Sequence, residues 1–195
     1  MRLTDENKKK ISDGIVHGAA QLFRRDGYDA VNLDAVMGAA GLTRGAFYAH
    51  FRTKADLFAQ VIRYEHPLLR MLQARDGTNL TDLHRQMDKI FADYLTPAHL
   101  QEIFRGCTLA SLTGESSRAD EPVRAAYEAA WSEIVTEMGR GHPAPDREAM
   151  HCALLLATSA VRTAHAMQDE QARKEVLTAA QKAVSGLLAK GLAET

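Results

Sequence analysis

The sequence predicts an all-α fold: a three-helix head followed by a longer helical body, with about nine helices in all. Three observations carry this expectation. Apolar residues recur at three- and four-residue spacing along most of the chain. Ala, Leu, Arg, Glu and Lys, the good helix formers, are plentiful. Only 5 prolines interrupt 195 residues, and no Asn-Gly dipeptide or alternating β-branched run signals a hairpin.

The first helix is expected from about Asp5 to Arg25, where Ile11, Ile15, Val16, Ala19, Leu22 and Phe23 make one apolar face. Lys8, Lys9 and Lys10 lie at its exposed start, and Gly27 suits its C-terminal stop. Asn32 suits the N-cap of a short second helix carrying Val36 and Met37. Gly41 falls where a sharp turn between helices calls for positive φ and no Cβ. Thr43 is expected to cap a third helix, with Phe47 and Phe51, four apart, turned into a small core. Thr53 with Asp56 reads as a variant capping box, so a fourth helix starts at Lys54.

Beyond this point the pattern is helix after helix. Lys54 to Arg75 reads as one long helix bent near Pro67, and Asp76 to Asn79 as a loop. Leu80, Leu83, Met87, Ile90, Phe91 and Tyr94 form the next stripe, which Thr96-Pro97 breaks. A short helix is expected over Ala98 to Phe104, with another beginning after Gly106. Pro122 opens a helix carrying Val123, Tyr127, Trp131, Ile134 and Met138, and Gly139 to Pro145 is a loop. Two Ala- and Leu-rich helices close the chain, about Pro145 to Met167 and Gln171 to Gly191. The first is apolar on every side, which demands burial on every side. On a domain this small, that predicts a homodimer formed through the last two helices.

We therefore divide the chain into a head, residues 1–53, and a body, residues 54–195. The net charge is −1, yet residues 1–63 carry +3 and the remainder −4. A basic head on an acidic body suits contact with nucleic acid through one end. Cys107 and Cys152 make no disulfide framework, and no signal peptide or bilayer-spanning run is apparent. A cytoplasmic setting with no membrane partner is the expectation.

The two helical patterns around Gly41 have the layout of a helix-turn-helix, whose second helix enters the major groove of DNA. Arg44 is the long donor able to fork onto guanine or phosphate. Gly45 and Ala46 permit close approach. Thr43, Tyr48 and His50 have polar tips suited to the backbone, and Lys54 adds a phosphate contact near the free amides of the fourth helix. The candidate DNA-binding set is Asn32, Thr43, Arg44, Gly45, Phe47, Tyr48, His50 and Lys54. By spacing alone the pair fits DNA binding and a plain structural role equally well.

The run Ala40-Gly41-Leu42-Thr43-Arg44-Gly45-Ala46-Phe47-Tyr48-Ala49-His50-Phe51, followed by Lys54 and Leu57, resembles the N-terminal domain of the TetR/AcrR family of bacterial transcription regulators. The likeness runs from about Ile11 to Ile62. It implies a DNA-binding head on a helical ligand-binding and dimerisation body, with Thr43, Arg44, Gly45, Tyr48, His50 and Lys54 at DNA-contacting positions. Met37 departs from the Ala that is usual there, but is common in a subgroup similar to regulators responsive to N-ethylmaleimide and related electrophiles.

That subgroup often carries Gly-Cys where this chain has Gly106-Cys107. A cysteine opening a helix, with Arg105 near in sequence, is expected to favour thiolate, which can add to an electrophile or form a sulfenic acid. Cys152 is expected in the core. The competing expectation is a reversible small-molecule effector in an apolar pocket, with Phe104, Leu112, Tyr127, Trp131 and His165 as candidate lining residues beside Cys107. His151 and His165 lack the close partners that a metal site wants, so neither metal nor cofactor is expected. Two further classes compete with a regulator: a helical protein-interaction module without DNA contact, and an enzyme. The enzyme has little behind it, because no paired carboxylates, Ser-His-Asp arrangement or Gly-rich phosphate loop is visible.

Overall fold

The computed structural model describes residues 5–101 and 106–190. Among these every regular element is a helix, and none is long and apolar enough to cross a membrane. Three helices build the head, and a fourth packs into its core. α1 (Asp5–Asp26) buries Ile15, Val16, Ala19, Ala20 and Phe23 and stops at Gly27, whose φ of +82° only glycine adopts without strain. α2 (Leu33–Ala39) starts under Asn32, whose side chain accepts the Ala35 amide at 2.8 Å. α3 (Arg44–Phe47) follows the turn at Gly41, and α4 (Lys54–Tyr64) starts where Thr53 accepts the Asp56 amide at 3.0 Å. Leu57, Phe58, Val61 and Ile62 of α4 complete the core around α1 to α3, so α4 belongs to this layer by packing.

The expected bend at Pro67 is a full break. Glu65 and His66 leave helical geometry, and α5 (Pro67–Gln73) restarts with Pro67 in its first turn. His66, 1% exposed, donates from Nε2 to the Ile62 carbonyl freed by the break. The body continues with α6 (Leu80–Tyr94), capped by Asn79, and α7 (Pro97–Gln101). The rest of the segment expected as helix to Phe104 lies outside the described residues, as does the expected end near Gly191. Then come α8 (Thr108–Ser111), α9 (Thr113–Arg118), α10 (Glu121–Met138), α11 (Arg147–Ala166) and α12 (Glu170–Lys190). Twelve helical segments among the described residues exceed the expected nine. The extra breaks at His66 and Leu112 leave no Gly signature in the sequence.

A second core joins α5, α6, α8, α10, α11 and α12, and Tyr127 packs against both cores. α11 is not covered on every side within one chain. It buries Met150, Ala153, Leu154, Ala157 and Ala160, but Leu155 is 54% exposed and Leu156 and Val161 are only partly covered. Its outer face is therefore open in the single chain.

Candidate nucleic-acid interface

The α2–α3 turn is built by backbone chemistry. Gly41 has φ +68° and donates to the Gly38 carbonyl, and the Leu42 amide returns to Met37 at 2.8 Å. A Cβ on Gly41 would meet no atom within 4 Å, so conformation alone, not crowding, requires glycine there. Met37 is fully buried beneath the turn. α3 is a single turn. Its N-cap Thr43 contributes its carbonyl to the Ala46 amide at 3.0 Å, while its hydroxyl makes no capping bond. The expected side-chain cap is absent, and that hydroxyl stands exposed at the helix start.

The outward residues are Arg44, Gly45 and Tyr48. Tyr48 is 62% exposed, with its ring edge-on to Phe47 at 5.3 Å between centroids. A Cβ on Gly45 would meet only Thr43 Oγ1, at 4.0 Å, so no neighbour inside the chain requires its small size. Arg44 Nη1 donates to Asp34 at 3.3 Å in an exposed pair, a partner that sequence reasoning missed. Such a pair is weak, and an incoming phosphate or guanine can replace it. Phe47 is wholly buried against Phe51, so it anchors α3 and is removed from the contacting set.

Two further candidates are held differently from expectation. Lys54 Nζ donates to the Tyr28 carbonyl and lies 4.2 Å from the centre of the Tyr28 ring, with partial burial holding its pKa below the usual lysine range. Its ammonium is thus held against the α1–α2 loop while staying partly exposed. His50 is half-buried, and desolvation, then the charge of Lys8, pushes its pKa below the ordinary histidine value. Asn32 is exposed, but its side chain is occupied by its cap.

In the body, a cleft of about 340 Å³ opens between the C-terminal end of α1 and helices α7, α8 and α11. Arg24, His99, Cys107, Arg162 and His165 line it together with Leu100 and Val161. A second cleft, about 320 Å³, contains Tyr127 and Trp131 and shares Ala110 and Arg162 with the first. Four of the candidate effector residues thus gather on either side of Arg162, which the sequence reading did not single out. Leu112 is buried in the head core and lines neither cleft, and Phe104 lies outside the described residues. Trp131 Nε1 donates to His151 Nδ1 at 3.0 Å, which assigns the ring proton of His151 to Nε2. Among the described residues no group of His, Cys, Asp or Glu is arranged to hold a metal ion.

Cys107 occupies the N-cap of α8 as expected, but with the opposite chemistry. It is 2% exposed, and burial raises the thiol pKa more than the nearby Ala110 amide and Tyr94 hydroxyl lower it. One turn of helix is too short a dipole to restore the thiolate. Cys152, expected in the core, is instead exposed on α11. Thr108, next to Cys107, ties the cleft wall to the head: its hydroxyl donates to the Glu65 carbonyl and accepts from Arg24 Nη1 at 3.0 Å.

Residues 15–61 match the family model of bacterial regulatory proteins, tetR family. The chain is 37% identical to the transposon Tn10 TetC protein of Escherichia coli over 92 residues, 46% of this chain and 45% of that one. Its matches therefore span less than half the length of the curated relatives. Among solved structures, the reduced form of E. coli NemR shares the fold with a TM-score of 0.67 at 20% identity, covering 91% of this chain and 96% of that one. The SmeT–triclosan complex does so with a TM-score of 0.64 at 19% identity, over 93% and 91%.

Proposed function

We propose, from the match of residues 15–61 to the tetR family model, that the chain is a regulator of that family: homodimeric, one-component, and a repressor released from a palindromic operator by a small-molecule effector. The observation that carries this reading is the outward set Arg44, Gly45 and Tyr48 on a helix anchored from behind by Phe47. Members of the family are transcription regulators rather than enzymes. In a dimer built on the open faces of α11 and α12, two α3 helices about 34–36 Å apart, or somewhat wider, meet successive half-sites. Operator DNA places the protein in the cytoplasm, and no cofactor takes part.

We keep residues 1–53 as head and 54–195 as body, with α4 as the element through which the body acts. α4 packs into the head core on one side and against α10 on the other. Effector binding selects a conformer with different α3 spacing, a population shift. The bound triclosan in the SmeT complex supports a reversible ligand. The electrophile-responsive alternative draws on Gly106-Cys107 and Met37, but burial of Cys107 disfavours the thiolate that it needs.

Fluorescence anisotropy on DNA fragments selected by the protein tests the assignment. Arg44→Ala is expected to lower affinity about 10- to 100-fold and Tyr48→Phe about fivefold, with affinity falling steeply as salt rises. If neither substitution changed affinity, the DNA reading would fail. A protein-interaction module would show no such salt slope. For the thiol version, N-ethylmaleimide is expected to label Cys152 well before Cys107. Loss of DNA binding in step with Cys107 labelling, abolished by Cys107→Ser, would reinstate it.

A further inference from the structure

The cleft beside Cys107 carries a charge pattern that the effector reading leaves unused. Its described lining brings guanidinium groups of Arg24, Arg25 and Arg162 and imidazoles of His99 and His165 around the apolar surface of Leu100, Val161, Ala110 and Ala166. No described lining residue is acidic. Two of the cations have carboxylates near them: Arg25 pairs with Asp26 at 2.5 Å, and Arg24 feels the charge of Glu65 while donating to Thr108. Arg162 differs. One of its donors goes to the Ala110 carbonyl at 3.2 Å, and no carboxylate pairs with it among the described residues. A guanidinium has five N–H donors in a planar fork that matches carboxylate, sulfonate and phosphate geometry.

We propose that this cleft binds an organic anion with an apolar body, its charged group held by Arg162 with His165 beside it and its body on Leu100 and Val161. The proposal rests on the effector reading and sets the ligand's chemical class. A volume of about 340 Å³ suits a small amphipathic molecule. The cationic side chains select against organic cations, because a like charge is repelled there and no described lining residue offers it a carboxylate. Arg24 lies on α1, so the head supplies part of the cleft's wall.

Isothermal titration calorimetry of the full chain at pH 7 tests this with octanoate, octane-1-sulfonate and octyl phosphate against 1-octanol and octylammonium. The anions are expected to bind about tenfold or more tightly than octanol, with octylammonium weakest. Arg162→Gln is expected to remove about tenfold of the anion affinity and leave octanol unaffected, and Arg162→Lys to recover part. Raising salt weakens the anions alone. Octanol or octylammonium binding as tightly as the anions, no binding by any of the three anions, or an unchanged Arg162→Gln would overturn the proposal. The titration contains no DNA, so failure of the operator reading leaves its outcome intact. A cleft selective for octanol would keep an effector site and reject only its anionic class.

Discussion

Arg44, Gly45 and Tyr48 in the head face solvent and contribute nothing to the interior, while Arg75, His66 and Cys107 in the body are turned inward and engaged there. Arg75 is 7% exposed and donates to the carbonyls of Leu72, Leu83 and Glu137, so one guanidinium stitches α5, the start of α6 and α10 together. Arg44 holds one exposed carboxylate at 3.3 Å. The same side chain is thus a structural bolt in one half and an unfilled hand in the other. What separates them is whether the donors already have internal acceptors, not residue type.

The contrast breaks first at its strongest point. Arg75→Ala removes the buried donors that join three carbonyls of α5, α6 and α10, while Glu137 keeps its closer pair with Arg140 at 3.0 Å, and is expected to cost about 2 kcal/mol or more of unfolding free energy. Arg44→Ala should lie within about 0.5 kcal/mol of wild type. Urea denaturation of both variants checks this. Similar midpoints would show that the exposed and buried arginines are not energetically distinct.

His66 sharpens the comparison through pH. Burial, partly offset by its bond to the Ile62 carbonyl, lowers its pKa to about 4 from the usual 6.5. The unfolded chain therefore binds a proton that the folded chain refuses between those values. The stabilisation from neutral His66 is complete above pH 6.5 and falls away as pH drops from there to about 4, by about 3 kcal/mol in all. His66→Gln is expected to flatten that limb of the stability–pH profile. An equally steep profile in the variant would assign the acid sensitivity to other groups.

How far the sequence could be read follows the same division. The caps at Asn32 and Thr53 and the positive φ at Gly41 are events within three or four residues, so local pattern contains them. Phe47 entered the contacting set because the motif runs anchor and reader side by side, and only burial separates it from Tyr48. The internal hold on Lys54 was not legible because its partner, the Tyr28 carbonyl, is 26 residues away. The break after Tyr64 was only half visible: Pro67 marks it, but the burial of His66 that holds it in place depends on elements far along the chain. Arg162 and the cleft around it arise where α1, α7, α8 and α11 meet, and no spacing in a single segment encodes such a meeting.

The smallest expected effect is the most exacting, because it compares two threonines in the same role. Thr43 and Thr53 both stand at N-caps with extended backbone, but only Thr53 Oγ1 accepts a backbone amide, that of Asp56. Removing a working cap exposes an unpaired amide and costs about 1 kcal/mol, so Thr53→Ala should lower stability by that amount. Thr43→Ala removes a hydroxyl with no internal bond and should leave stability unchanged. If that hydroxyl is instead kept for a phosphate, Thr43→Ala should weaken operator binding by up to about tenfold, the worth of one hydrogen bond. Thermal melts and anisotropy titrations on the two variants separate these outcomes. Equal losses of stability would mean that both hydroxyls cap in solution. A Thr43→Ala protein with full stability and full affinity would remove Thr43 from the interface and leave Arg44 and Tyr48 to carry it.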